Sequence, residues 1–346
     1  MVPDRKGGGK TLADLGEWGL LGLLRPLLER QTAGFPLPTG DDVAVTPPPR
    51  RDEQLVWTID SMVEGTHFRF WDHPAATAEA LGWKLAASNV SDLASKGSTP
   101  RYGLLSVGVP KVTPVAWLEG FYHGLEQAAA EWEFKLAGGD TVLAPQWALT
   151  LALVGTLPAG GILAGRHEAQ PGDRLYTTGT PGEAAAGLEI LEGNLRLEEG
   201  DHAEALVLRA LRPEPRLDFG RLLVERSTRL AMIDVSDGVA KDAAHVAARS
   251  DVQMLLREEA LPVSPALDAA ARASGKPAAD FVLHGGEDYE LLFASPMEKN
   301  RLQALAEQCG VRLTCIGAVE KGEGVTLQAA DGTRRAIQRE GYEHFQ

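Results

Sequence analysis

Short apolar runs that close on a carboxylate recur along this chain. Residues 55–60 read LVWTID, and residues 230–235 read LAMIDV before Ser236-Asp237-Gly238. An unpaired carboxylate is costly to bury, so each run is expected to be a buried strand whose acid lies at its end, where loops gather. Stretches of helical period separate the runs. Residues 75–95, for example, carry Ala, Leu and Trp at helical spacing with no proline. Strands alternating with helices, with acids at the strand ends, describe an α/β or α+β protein.

The chain has 346 residues, which against roughly 150 per domain suggests two domains. Pro158-Ala159-Gly160-Gly161 is the best candidate linker. Before it, the pattern predicts a helix over 11–30 with Thr11 as N-cap and a short strand over 41–45. Strands at 55–60, 102–109, 134–137 and 147–157 follow, with helices over 75–95 and from Thr113-Pro114 onward. After the linker, strands are expected at 173–178, 230–235, 252–257, 289–294, 311–318 and 325–329. The helices expected there cover 182–193, 202–211, 216–227, 239–249, 264–274 and 297–309.

Acids outnumber bases by 48 to 34, a net charge of -14. That argues against a nucleic-acid partner, which would be met by a basic face. A small phosphorylated ligand remains compatible, provided that metal ions mediate. The two cysteines, Cys309 and Cys315, are too few for a disulfide framework or a zinc site and point to a reducing compartment. The N-terminus offers no secretory signal. Its most apolar stretch, residues 20–28, is interrupted by Gly22, Arg25 and Pro26 and is too short to span a bilayer. A soluble cytoplasmic protein without a membrane partner is expected.

Gly7-Gly8-Gly9-Lys10-Thr11 imitates the end of a phosphate-binding P-loop. Asp4 stands where the first glycine is required, however, and no strand precedes it. Residues 1–10 are expected to be a loose tail, and phosphate must be bound another way. The acids supply that way. Asp41 and Asp42 follow Gly40, Asp60 closes a strand, and Asp92 ends Asn89-Val90-Ser91-Asp92. Asp140 follows Gly138-Gly139, and Asp234 and Asp237 bracket Val235-Ser236. Singly, each is ordinary turn or cap chemistry. Together they offer hard oxygens, which suit Mg²⁺, an ion that shares its coordination with substrate phosphates.

The 38 glycines exceed the usual share of about 7%. The pairs Gly138-Gly139 and Gly285-Gly286 either form tight turns or let backbone N–H groups approach an anion. His67 is a structural hydrogen-bonder or a base. The acids of Glu287-Asp288-Tyr289-Glu290 are strand-edge solubilisers or site residues. The aromatic terminus, Gly341-Tyr342-Glu343-His344-Phe345, either docks as a tail or covers a ligand with a ring.

Taken in order, these motifs resemble the thiamine-monophosphate kinase family. They are Gly40-Asp41-Asp42, then Thr58-Ile59-Asp60 with Glu64-Gly65-Thr66-His67-Phe68, then residues 89–97 (NVSDLASKG). Gly138-Gly139-Asp140-Thr141, residues 234–238 (DVSDG), residues 285–291 (GGEDYEL) and the terminal aromatic motif continue the series. The resemblance spans the chain from about residue 12 to residue 345.

It implies the two-domain fold of the superfamily that includes aminoimidazole ribonucleotide synthetase. Residues 1–158 would be an N-terminal ATP- and Mg²⁺-binding α/β domain, dimerising so that sheets from two subunits form a barrel. Residues 159–346 would be a C-terminal α/β sandwich domain. The implied reaction is ATP-dependent phosphorylation of thiamine monophosphate to thiamine diphosphate, in a homodimer, by direct in-line transfer with several Mg²⁺ ions. No covalent nucleophile is required, because phosphoryl transfer needs chiefly alignment and charge neutralisation.

Matched position by position, the resemblance assigns Asp42, Thr58, Asp60, Asp92, Asp140, Asp234 and Asp237 to metal, with Asp41 a neighbour. Gly139, Asp140, Arg166 and Ser236 fall to ATP, and His67, Glu287 and Tyr342 to the thiamine substrate. Arg166 suits a phosphate, Glu287 the thiazolium charge, and Tyr342 the thiamine rings. Lys96 and Ser98 depart from the family's apolar residue and alanine, and Val43 and Val45 from smaller residues. Lys96 either solvates a helix end, the favoured expectation, or reaches a phosphate. Rival members of the superfamily are a selenophosphate synthetase, which would want an N-terminal reactive Cys, and a hydrogenase-maturation protein, which would want a C-terminal one. A purine-pathway synthetase is a further rival, and a non-catalytic metal- or nucleotide-binding dimer is disfavoured by the full set of acids.

Overall fold

The computed structural model describes residues 10–36, 43–197 and 201–337. Asp41, Asp42, Tyr342 and nearly all of the expected N-terminal tail lie outside the described residues. The chain divides into two compact units, one of residues 1–93 and 99–159, the other of residues 94–98 and 160–346.

The first unit contains α1 (Leu12–Gln31), β1 (Glu53–Val63), α2 (Ala78–Ala94), β2 (Thr99–Val109), α3 (Val115–Glu131), β3 (Lys135–Leu143) and β4 (Ala148–Pro158). Its four strands are ordered β1-β4-β2-β3. The Asp14 carboxylate accepts bonds from the Thr11 N–H and hydroxyl, closing the start of α1. At α3, Pro114 rather than Thr113 stands at the N-cap. The strand expected over 41–45 is reduced, among described residues, to a single bridged residue at Val45.

The run at 55–60 differs from expectation more instructively. It lies inside a longer edge strand, β1, that is not buried on both sides. Leu55, Trp57 and Ile59 are exposed at 46%, 68% and 65%. Thr58 and Asp60 sit on the other face, directly opposite Leu153 and Leu151 of β4, both fully buried. In a strand of period two, residues 57–60 therefore turn their polar side chains inward and their apolar ones outward. The Gly138-Gly139-Asp140 motif likewise lies within β3, not in a turn after it.

The second unit contains β5 (Arg174–Thr178), α4 (Glu183–Leu191), α5 (Asp201–Leu211), α6 (Leu217–Arg226), β6 (Ala231–Val235), α7 (Val239–Ser250) and β7 (Gln253–Arg257). It continues with α8 (Pro265–Ser274), α9 (Ala278–His284), β8 (Glu290–Ser295), α10 (Lys299–Gln308), β9 (Leu313–Glu320), β10 (Gly324–Gln328) and β11 (Arg334–Ile337). The sheet order is β11-β10-β7-β9-β5-β8-β6, with only β7 and β10 parallel. Ile233, Val235, Leu292 and Leu256 from its strands pack with Val239, Val246 and Leu267 from α7 and α8. Neither α9 nor β11 is foreseen in the sequence: α9 is seven residues long, and β11 reads RRAI, with two charges.

Candidate active site

In the first unit, β1 and α2 bring three assigned residues together. The Thr58 hydroxyl donates to the Asp92 carboxylate, so α2 lies against the inner face of β1 at this point. Asp60 is two residues along the same face. Desolvation and then the negative charge of Asp92 push its carboxyl up to about 6, and a hydrogen bond from Ser88 works the other way. Two carboxylates held together on a desolvated face oppose one another's ionisation. Among the described residues no group of three or more acidic, His or Cys side chains is gathered to hold a metal unaided. The donors nevertheless fit Mg²⁺ in kind, being hard oxygens few enough to leave positions for water and phosphate.

His67 lies in the turn after β1. Its Nδ1 accepts the Val63 N–H at 3.1 Å, and its own N–H donates to Val63 O at 2.9 Å. With Nδ1 occupied as acceptor, the neutral ring carries its proton on Nε2, as a donor. The Glu64 carboxylate accepts the Trp147 N–H at 3.1 Å, tying the same turn to the start of β4.

Asp140 is not part of this group. It is exposed on β3, opposite Ser106 of β2, at the other edge of the sheet. Three strand spacings, roughly 14 Å, separate the two edges. Asp140 borders a cavity of about 150 Å³ lined by Leu20, Leu24 and Leu28 of α1 and by Tyr122. At its neighbour Gly139, strand pairing is already sufficient reason for glycine, since a Cβ there would stand 1.9 Å from Leu105 O.

In the second unit, Asp234 on β6 is 4% exposed, and the turn after it carries Ser236 and Asp237. Asp237 pairs with Lys241 at 3.0 Å. Asp242, in the first turn of α7, accepts the N–H groups of Ser236 and Asp237, each at 3.1 Å. Desolvation, followed by the charge of Asp234, raises its carboxyl well above the usual range. Sequence reasoning passed over Asp242. The available signal was an acid in the first turn of a helix, where backbone N–H groups seek acceptors.

The segment 285–291 packs on that turn. Glu287 N–H donates to Ser236 O at 2.8 Å and Tyr289 N–H to Val235 O at 2.9 Å. A Cβ at Gly286 would stand 2.4 Å from Ser236 O, so this glycine too serves a close approach of backbones. The acids here are not strand-edge solubilisers. Glu290, 5% exposed, takes Nε and Nη2 of Arg216 at 2.7 and 2.5 Å and the Thr178 hydroxyl at 2.6 Å. Asp288 accepts N–H groups from the first turn of α4.

Arg166 is exposed, and its carbonyl accepts the Ser250 hydroxyl at 2.7 Å, which clips its loop to the end of α7. Lys96 neither solvates a helix end nor reaches outward. Its ammonium donates to Ala164 O at 3.0 Å and Met232 O at 2.8 Å, both on fully buried residues.

The family models for AIR synthase related protein match this chain over residues 40–157 for the N-terminal domain and 170–330 for the C-terminal domain. A thiamine-monophosphate kinase of Aquifex aeolicus is 34% identical over 336 residues, covering 96% of this chain and 99% of the relative. The crystal structure of the thiamine-monophosphate kinase of Stenotrophomonas maltophilia superposes with a TM-score of 0.78 at 35% identity, over 89% of this chain and 96% of that one. AaThiL complexed with AMPPCP and TMP superposes with a TM-score of 0.74 at 32% identity, over 98% and 100%.

Proposed function

Because the chain belongs to the AIR synthase related family and, within it, to the thiamine-monophosphate kinases, we propose that it phosphorylates thiamine monophosphate with ATP to give thiamine diphosphate and ADP. A phosphate oxygen of thiamine monophosphate attacks the γ-phosphorus in line, the bond to the bridging oxygen breaks, and ADP leaves. The attacking oxygen is already anionic near neutral pH, so neither a general base nor a covalent nucleophile is needed. Several Mg²⁺ ions, when bound, supply neutralisation of the phosphate charges.

The observation that carries this reading is the Asp60–Asp92 pair beside Thr58. A fold that only had to be stable would not desolvate the Asp60 carboxyl beside a second carboxylate, that of Asp92. Asp234 and Asp237 offer the same chemistry in the second unit, and Asp42 and Asp140 complete the assigned metal set. Arg166, Ser236 and Gly139 serve the nucleotide, and His67 offers Nε2–H to a phosphate. Glu287 would offset the thiazolium charge, and Tyr342, outside the described residues, is assigned to the thiamine rings.

The open face of the first sheet supports a homodimer. Leu55, Trp57 and Leu104 there surround a groove of about 470 Å³ and are all more than 40% exposed. A patch of that kind marks a protein contact, and a second copy of the same sheet is the partner of matching chemistry. No helix among the described residues is long and apolar enough to cross a membrane, and a cytoplasmic enzyme supplied with ATP is proposed.

Asp60→Asn tests the pair. It should lower kcat/KM by orders of magnitude and leave the melting temperature of the magnesium-free protein unchanged or higher. A large fall in stability with activity retained would make Asp60 a structural residue and overturn the assignment.

A further inference from the structure

The loop bearing Glu287 has a backbone that side chains rarely adopt. Glu287 and Tyr289 both lie in the left-handed region, at φ 64° and 53°. That region is disfavoured for residues with a Cβ, and it persists where surrounding structure over-determines it. One determinant is the pair of main-chain bonds to Ser236 O and Val235 O, at 2.8 and 2.9 Å. The other is the residue between them. The Asp288 carboxylate accepts Gly182 N–H at 2.8 Å and Ala184 N–H at 3.1 Å, one bond to each oxygen. Gly182 is the N-cap of α4 and Ala184 its second residue, so both donors are N–H groups without an intrahelical partner. The loop is thus held from one side by the β6–α7 turn and from the other by a helix start.

We propose that Asp288 is a positioning residue for the thiamine-phosphate subsite. Anchored on the first turn of α4, it locks the left-handed conformation of Glu287 and so orients the Glu287 carboxylate toward a cationic substrate. This rests on the assignment of Glu287 to the substrate. A residue that merely capped α4 would stabilise the fold and leave substrate discrimination alone. One that orients Glu287 must act on thiamine monophosphate more than on nucleotide, and must lose its effect once the Glu287 charge is gone.

A double-mutant cycle separates the two, read by calorimetry with thiamine monophosphate and, separately, with a non-hydrolysable ATP analogue. Asp288→Asn keeps one acceptor oxygen and replaces the other by a donor facing a donor. It should weaken thiamine monophosphate about tenfold and change affinity for the ATP analogue by less than about twofold. Glu287→Gln should weaken thiamine monophosphate alone by a similar factor, and adding Asp288→Asn to it should cost less than about twofold more. Asp288→Glu, which keeps both acceptor oxygens of a carboxyl group, should recover part of the loss. Effects that multiply in the double variant, or equal losses for both ligands, would make Asp288 a cap and overturn the proposal. A Glu287→Gln variant with unchanged affinity would overturn the assignment of Glu287 itself, and the inference with it. Should Asp288→Asn not fold, Asp288→Ser, which still accepts one N–H bond, takes its place in the same cycle.

Discussion

At the scale of single residues, Asp60 sets the cost of the site. Its carboxyl, raised to about 6 from 3.8, holds a proton in the folded chain over a range where the unfolded chain has lost it. Stability contributed by the protonated form is therefore present below about pH 4 and is lost as pH rises toward 6. At about 1.4 kcal/mol per unit, the loss is about 3 kcal/mol. Urea unfolding of magnesium-free protein at pH 4.5 and pH 7 should show about two-thirds of that fall, roughly 2 kcal/mol, in the wild type, beyond whatever the Asp60→Asn variant shows. Equal slopes in the two proteins would contradict it. The pairing of Asp60 with Thr58 and Asp92 was legible in the sequence as motifs in a known order. Asp242 left a local signal that was passed over, whereas Asp288 was not legible, because it binds backbone N–H groups more than 100 residues away that only the folded path brings within reach.

At the scale of elements, residues 55–60 show what apolar periodicity can and cannot tell. The short apolar run LVWTID correctly marks a strand. It does not say which face is covered, and the helices here cover the face with the polar residues. The glycine pairs were ambiguous for a similar reason: at Gly139 and Gly286 the close partner is a carbonyl of this chain. Lys96 has the clearest structural role, joining the carbonyls two residues before Arg166 and Asp234. Lys96→Met keeps the stem and deletes the ammonium. A loss of about 1–3 kcal/mol is expected from removing charged hydrogen bonds in a partly buried setting, measured by denaturant titration. Unchanged stability would mean that these bonds contribute nothing.

At the scale of the molecule, the first sheet leaves one apolar face open to water among the described residues. Its outer face leaves Trp57 68% and Leu104 51% exposed, more apolar surface than a solitary sheet face normally shows to water. Light scattering should give a mass of twice 37.0 kDa, and Leu104→Glu, away from the Thr58–Asp60 pair, should give the monomer. A wild-type protein monomeric at micromolar concentration would contradict the assignment of that face. The acidic balance of the whole chain is compatible with a phosphate-rich substrate if, as proposed, several of the acids bind cations.

Turnover tests the central claim most directly. Purified protein supplied with ATP, Mg²⁺ and thiamine monophosphate is followed by phosphorus NMR. The substrate phosphate signal should give way to the paired signals of thiamine diphosphate, with ADP formed in equal amount and no reaction without magnesium. ATP consumed to ADP and inorganic phosphate without thiamine diphosphate, or no product at saturating substrates, would contradict the account.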